Sequence, residues 1–145
     1  LMAVVLLQIS YGGLTAGLKA GHASNTWPLM AGYLIPPGLL AIVEPWWRNL
    51  LDSPTTVQFI HRWLAFVVLA LAFIVYWRAR ADSSLRSARA GALVLIAIVT
   101  VQIALGVSVV LFNVALPLAL LHQTTAIALF VAAIFTNHRL AHVTA

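Results

Sequence analysis

From Ala90 to Phe112 the sequence runs for 23 residues without a charged side chain, and Leu1 to Leu18 does the same. An α-helix rises about 1.5 Å per residue, so roughly 20 apolar residues reach across the ~30 Å hydrocarbon core of a bilayer. A chain built from such stretches has too little polar surface to fold in water. Its composition agrees, because 8% charged residues is far below the ~25% of a soluble domain. At 145 residues there is room for about four crossings and one membrane domain, residues 1–145.

Four spans are expected, at about 1–18, 57–77, 90–112 and 118–137. They form an all-α up-down-up-down bundle of membrane helices. Residues 20–56 hold five of the six prolines and three of the five tryptophans, which predicts a long ordered loop rather than a helix. Trp46 and Trp47 in that loop, with Trp63 and Trp77, suit the two interfacial belts. The segment after Trp77 carries Arg78, Arg80, Arg86 and Arg89 against one acid, Asp82, whereas Lys19 and Arg48 in the first loop are offset by Glu44 and Asp52. Positive loops stay inside, so the arginine loop is expected to be cytoplasmic and loop 20–56 external. Arg139 falls on the arginine side, and both termini are predicted inside. The first segment starts apolar and leads into Lys19, unlike a cleavable signal, and the chain is expected to be a fragment of something longer. The net charge of +5 comes from scattered arginines and is read as topology; nucleic acid is not an expected partner. The absence of cysteine excludes disulfides, thiolate metal sites and thioether-linked haem.

Two histidines sit inside these spans. His61 and His122 each lie four residues into a predicted helix, and both helices run inward, so the imidazoles are expected at one depth, about 6 Å below the outer boundary. Helices 2 and 4 are diagonal in such a bundle, and the rings can face each other across the core. One flat metal macrocycle fits between them. Ala65 and Ala126, one turn below each histidine, leave its faces clear. Ligation by two neutral imidazoles saturates an iron and favours electron transfer over oxygen binding. The plainer alternative is that each histidine bonds a carbonyl or water near the interface.

Arg62, beside His61, is expected either to snorkel to headgroups or to pair with a carboxylate of the cofactor. Gln8, Gly12 and Thr15 share one face of helix 1, and Gln102, Gly106 and Asn113 one face of helix 3. Amides and small residues are the usual contacts between membrane helices; Gln8 and Gln102 are also kept as candidates for contacting the cofactor. The runs Gln8-Ile9-Ser10-Tyr11-Gly12 and Gln102-Ile103-Ala104-Leu105-Gly106 form a weak internal repeat, suggesting two hairpins of common design. His22, His138 and His142 are read as interfacial. No Asp or Glu lies within a predicted span, which leaves no obvious buried proton acceptor.

The stretches GLTAGLKAGHASNTWPLMAG, IPP, VQFIHRWLAF and PLALLHQTTA resemble the haem A synthase family over nearly the whole chain. The similarity is to the C-terminal half of that enzyme, which is built from two similar four-helix bundles. The resemblance implies a haem b between His61 and His122, an N-terminal catalytic half as partner, and haem O and haem A as substrate and product of the full enzyme. It also implies a bacterial plasma membrane or mitochondrial inner membrane as location. The family's catalytic bundle has a glutamate three residues before its first haem-site histidine; here that position is Gln58, and the one before His122 is Ala119. By that analogy no catalytic residue is assigned in this chain, and it is expected to relay electrons. Membrane lipid is an expected partner, and self-association as a homo-oligomer is compatible with the pattern. The alternatives are a free-standing bis-histidine cytochrome b drawing electrons from quinol, and a haem-free packing or transporter fragment.

Overall fold

The computed structural model describes residues 1–141, so His142 lies outside the described residues. Five α-helices follow in order: α1 (Met2–Gly17), α2 (Asn49–Asp52), α3 (Pro54–Arg80), α4 (Arg86–Leu111) and α5 (Leu116–Ala141). Short 3₁₀ turns occupy Ala20–His22, Trp46–Arg48 and Ser83–Leu85. Apart from one isolated antiparallel bridge between Met30 and Tyr33, there is no β-structure among the described residues.

Three helices, α3, α4 and α5, are long and apolar enough to cross a membrane. At 26 or 27 residues each extends about 40 Å, longer than the hydrocarbon core. They outrun the expected spans because charge marks the edge of the lipid whereas capping marks the end of the helix. Ser53 accepts from the Thr56 N–H and Pro54 occupies the first turn, which starts α3 three residues before the expected Val57. Arg78 and Arg80 fall in its last turn, where cations suit the helix dipole. α1 is different. Lys19 adopts a left-handed conformation (φ 51°), and the helix stops at 16 residues, about 24 Å, so by length it is a shorter apolar helix and not one of the three.

α1 packs on α3, α3 on α4 and α4 on α5, with α1 closing on α5. Each of the four supplies the core: Val5 from α1, Val68 and Ala72 from α3, Leu95 and Val99 from α4, Leu129, Ala132 and Ala133 from α5. The outward faces remain apolar, with Leu93, Val101, Ile127 and Val131 about half exposed. That pattern suits lipid and would be costly in water. α4 and α5 come close at Gly91, where an added Cβ would stand 2.7 Å from Thr136 Oγ1.

Loop 20–56 is ordered by buried polar side chains. Asn49, fully buried, accepts from the Ile42 and Val43 N–H groups (3.1 and 2.8 Å) and donates to the Val43 and Trp46 carbonyls (2.6 and 2.8 Å). All four bonding positions of its amide are used. Leu34, Ile35, Ile42, Trp46 and Trp47 remain more than half exposed on this loop. On the opposite side, Asp82 accepts from the Ser84 N–H (2.8 Å) and hydroxyl (2.6 Å), which holds its carboxyl below the usual range.

Candidate cofactor site

His61 stands seven residues beyond the start of α3 and His122 six beyond the start of α5, deeper in their helices than expected because both helices begin earlier. The fold brings the two rings together. Their centroids are 6.4 Å apart and their planes cross at 89°. Both histidines are half-buried. The main chain of Gln8 lies beside His61 and that of Gln102 beside His122, yet neither buried Nδ1 completes a hydrogen bond.

The two hairpins surround these rings alike. Gly12 of α1 lies against the His61 ring and Gly106 of α4 against the His122 ring. The repeat in the sequence therefore has a physical meaning, since each Gln-Ile-x-x-Gly run ends where the helix must yield space to an imidazole. Gln102 donates from Nε2 to the His122 carbonyl (3.0 Å) and to Thr125 Oγ1 (2.8 Å), bracing α4 against α5 beside the ligand candidate. Gln8 leaves its buried Oε1 without a partner.

Arg62 does not end in a free headgroup-seeking cation. Its Nη1 donates to the Thr26 carbonyl (2.9 Å) and its Nη2 to the Ser24 carbonyl (3.0 Å), while its guanidinium lies 5.7 Å from the Trp27 ring centroid. Buried Nε is unpaired. One turn earlier Gln58 donates to the Gly21 and Ser24 carbonyls (3.3 and 3.0 Å), and one turn later Phe66 stacks on Trp27 at 6.1 Å. Gln58, Arg62 and Phe66 thus form an i, i+4, i+8 ladder that holds segment 21–27 over the histidine end. The spacing was visible in the sequence; the partner segment was not. Gly21 in turn rests on Val114, and Asn25 donates to Asn113 (3.2 Å), so the loop also covers the α4–α5 turn.

His22 is exposed in loop 20–56, in the segment that Gln58 and Arg62 hold, and His138 is exposed at the opposite end of α5 from His122. An open apolar groove of about 330 Å³, lined by Phe73, Ile74, Trp77 and Arg78, lies toward the far end of α3 and takes no part in the site. Among the described residues no cluster of three or more His, Cys, Asp or Glu could hold a bare metal ion. Two facing imidazoles suit a metal whose remaining ligands come from a planar macrocycle.

Residues 1–134 match the model of the cytochrome oxidase assembly protein family COX15-CtaA. The chain belongs to that family. It is 45% identical over 140 residues to the haem A synthase of Nitrosospira multiformis and 44% identical over 144 residues to that of Rhodopseudomonas palustris, each alignment covering 97% of this chain and 39% of the relative. The haem A synthase of Chelativorans sp. is 48% identical over 141 residues, 95% of this chain and 37% of its own. The chain therefore spans about two fifths of the length of these relatives, and the match falls in their C-terminal half. No solved structure matches it. With family members in bacteria and three membrane-length helices, this COX15-CtaA chain fits an integral protein of the bacterial plasma membrane.

Proposed function

We propose that this chain is the cofactor half of a haem A synthase, a single four-helix domain with both termini cytoplasmic that ligates one haem b through His61 and His122 and relays electrons. The observation that carries this reading is the facing pair of imidazoles, 6.4 Å between centroids, in a chain otherwise without a metal cluster among its described residues. A metal–imidazole bond is about 2 Å, so two imidazoles opposed on one iron would stand with their centroids roughly 6 Å apart.

The haem would supply one-electron chemistry. The chain's own residues supply its setting. His61 and His122 would hold the iron through their two imidazoles and leave oxygen and water no position on it. Arg62 and Gln58 anchor segment 21–27 over the histidine end and limit access of water from outside, and the unused N–H groups of Arg62 are available to a propionate. The helices carry no Asp or Glu among residues 54–80, 86–111 and 116–141, which argues against proton abstraction here and for catalysis of the haem O methyl oxidation in an N-terminal half.

The test is a reduced-minus-oxidised absorption spectrum of the purified chain, with extraction of the haem into pyridine. One low-spin b-type haem per chain is expected, lost in His61→Ala and in His122→Ala. A spectrum unchanged in both variants, or no haem in folded protein, overturns the reading.

A further inference from the structure

Gly12 and Gly106 occupy equivalent places in the two hairpins, each closing a Gln-Ile-x-x-Gly run on the helix that faces a histidine. A Cβ at Gly12 would come 3.2 Å from His61 Cε1, and one at Gly106 would come 3.3 Å from His122 Cε1. At both positions the three nearest atoms to that Cβ all belong to the histidine ring. Carbon atoms rest in contact at about 3.5–4.0 Å, so a methyl group would push the ring. The other two glycines of α1, Gly13 and Gly17, would meet nothing within 4 Å. Close packing on an imidazole is therefore particular to Gly12 and is repeated at Gly106.

The χ2 torsion of histidine has a broad minimum. Where Nδ1 has a strong hydrogen bond, that bond fixes the ring. Here neither Nδ1 completes a hydrogen bond; the main chain of Gln8 or Gln102 lies beside each ring, and with the bare backbone at each glycine it bounds the ring's rotation. The outcome is two planes crossed at 89°.

We infer that Gly12 and Gly106 are positioning residues that set the crossed imidazole planes and thereby the electronic structure of a metal held by both histidines. This inference rests on the two-histidine haem reading above. Crossed axial planes leave the two iron dπ orbitals nearly equal in energy, whereas parallel planes split them. Ring orientation is one of the levers by which a protein tunes such a metal. An alanine at either glycine turns its ring and moves the planes away from a right angle.

The experiment is electron paramagnetic resonance of the full chain, purified with haem and oxidised. Wild type is expected to give a strongly anisotropic low-spin signal dominated by one low-field feature. Gly12→Ala and Gly106→Ala should each shift that feature to higher field, toward a rhombic three-line pattern, while Gly13→Ala leaves it in place. A rhombic wild-type signal overturns the inference without any variant being needed, even if the alanine variants fail to fold. So does an unchanged signal in both Gly12→Ala and Gly106→Ala, or an equal shift in Gly13→Ala. In those three outcomes the haem, still lost in His61→Ala, survives and only the role of the glycines falls. Folded wild type without low-spin haem overturns the haem reading and this inference together.

Discussion

At the scale of single residues, the polar side chains near the histidine end hold the chain together through its own carbonyls. Gln58 is the clearest case. It is 2% exposed, and its amide N–H groups bond two carbonyls of loop 20–56, a task no ionised carboxylate could perform. That donor role gives a structural reason for an amide at the place where the resemblance led us to look for a glutamate. Gln58→Met keeps the length and removes both donors. It should destabilise the attachment of segment 21–27 by about 1–2 kcal/mol, read as faster amide hydrogen exchange there with the helices unchanged; unaltered exchange would refute the tether. In the sequence Gln58 was legible only as a departure from a pattern, because a hydrogen bond across 34 to 37 residues leaves no local trace.

Elements join through small residues and close backbones. α4 and α5 meet at Gly91, where even a methyl group would stand 2.7 Å from Thr136 Oγ1 and 3.2 Å from Phe135 Cδ1. Thr136 is fully buried, its hydroxyl bonded to the Ala132 carbonyl at 2.8 Å. Gly91→Ala should therefore cost about 1–3 kcal/mol through overpacking, measured as a lowered unfolding midpoint in detergent. Adding Thr136→Ala removes the obstructing oxygen and should recover part of the loss, a coupling that independent sites would not display. The existence of these helices was plain from uncharged runs, whereas their ends were not: Ser53-Pro54 is a start signal that lies outside the lipid-length window. The short α4–α5 connection, by contrast, was expected at Asn113 to Pro117 from its length alone; the chain reverses over 112–115, with Asn113 and Val114 in left-handed conformations (φ 52° and 59°) that the sequence did not announce.

For the whole molecule, orientation is the testable quantity. The chain has no cysteine, so single cysteines report cleanly. In intact cells Leu34→Cys should react with a membrane-impermeant thiol reagent and Ser84→Cys only after permeabilisation. The reverse pattern would invert the proposed topology. Length, hydropathy and the distribution of arginine were enough to specify a membrane-embedded helical chain, its hairpin at 113–117 and a pair of histidines at similar depth, because each is a property of a segment and its distance from a boundary. What the tertiary structure alone decided is how those segments face one another: the 6.4 Å separation and crossed planes of His61 and His122, the glycines laid against both rings, and the loop fastened across Gln58, Arg62 and Phe66. These depend on the rotation of each helix about its axis. Most side chains of these helices face lipid, and lipid is as apolar as the core, so hydrophobic pattern carries little record of that rotation.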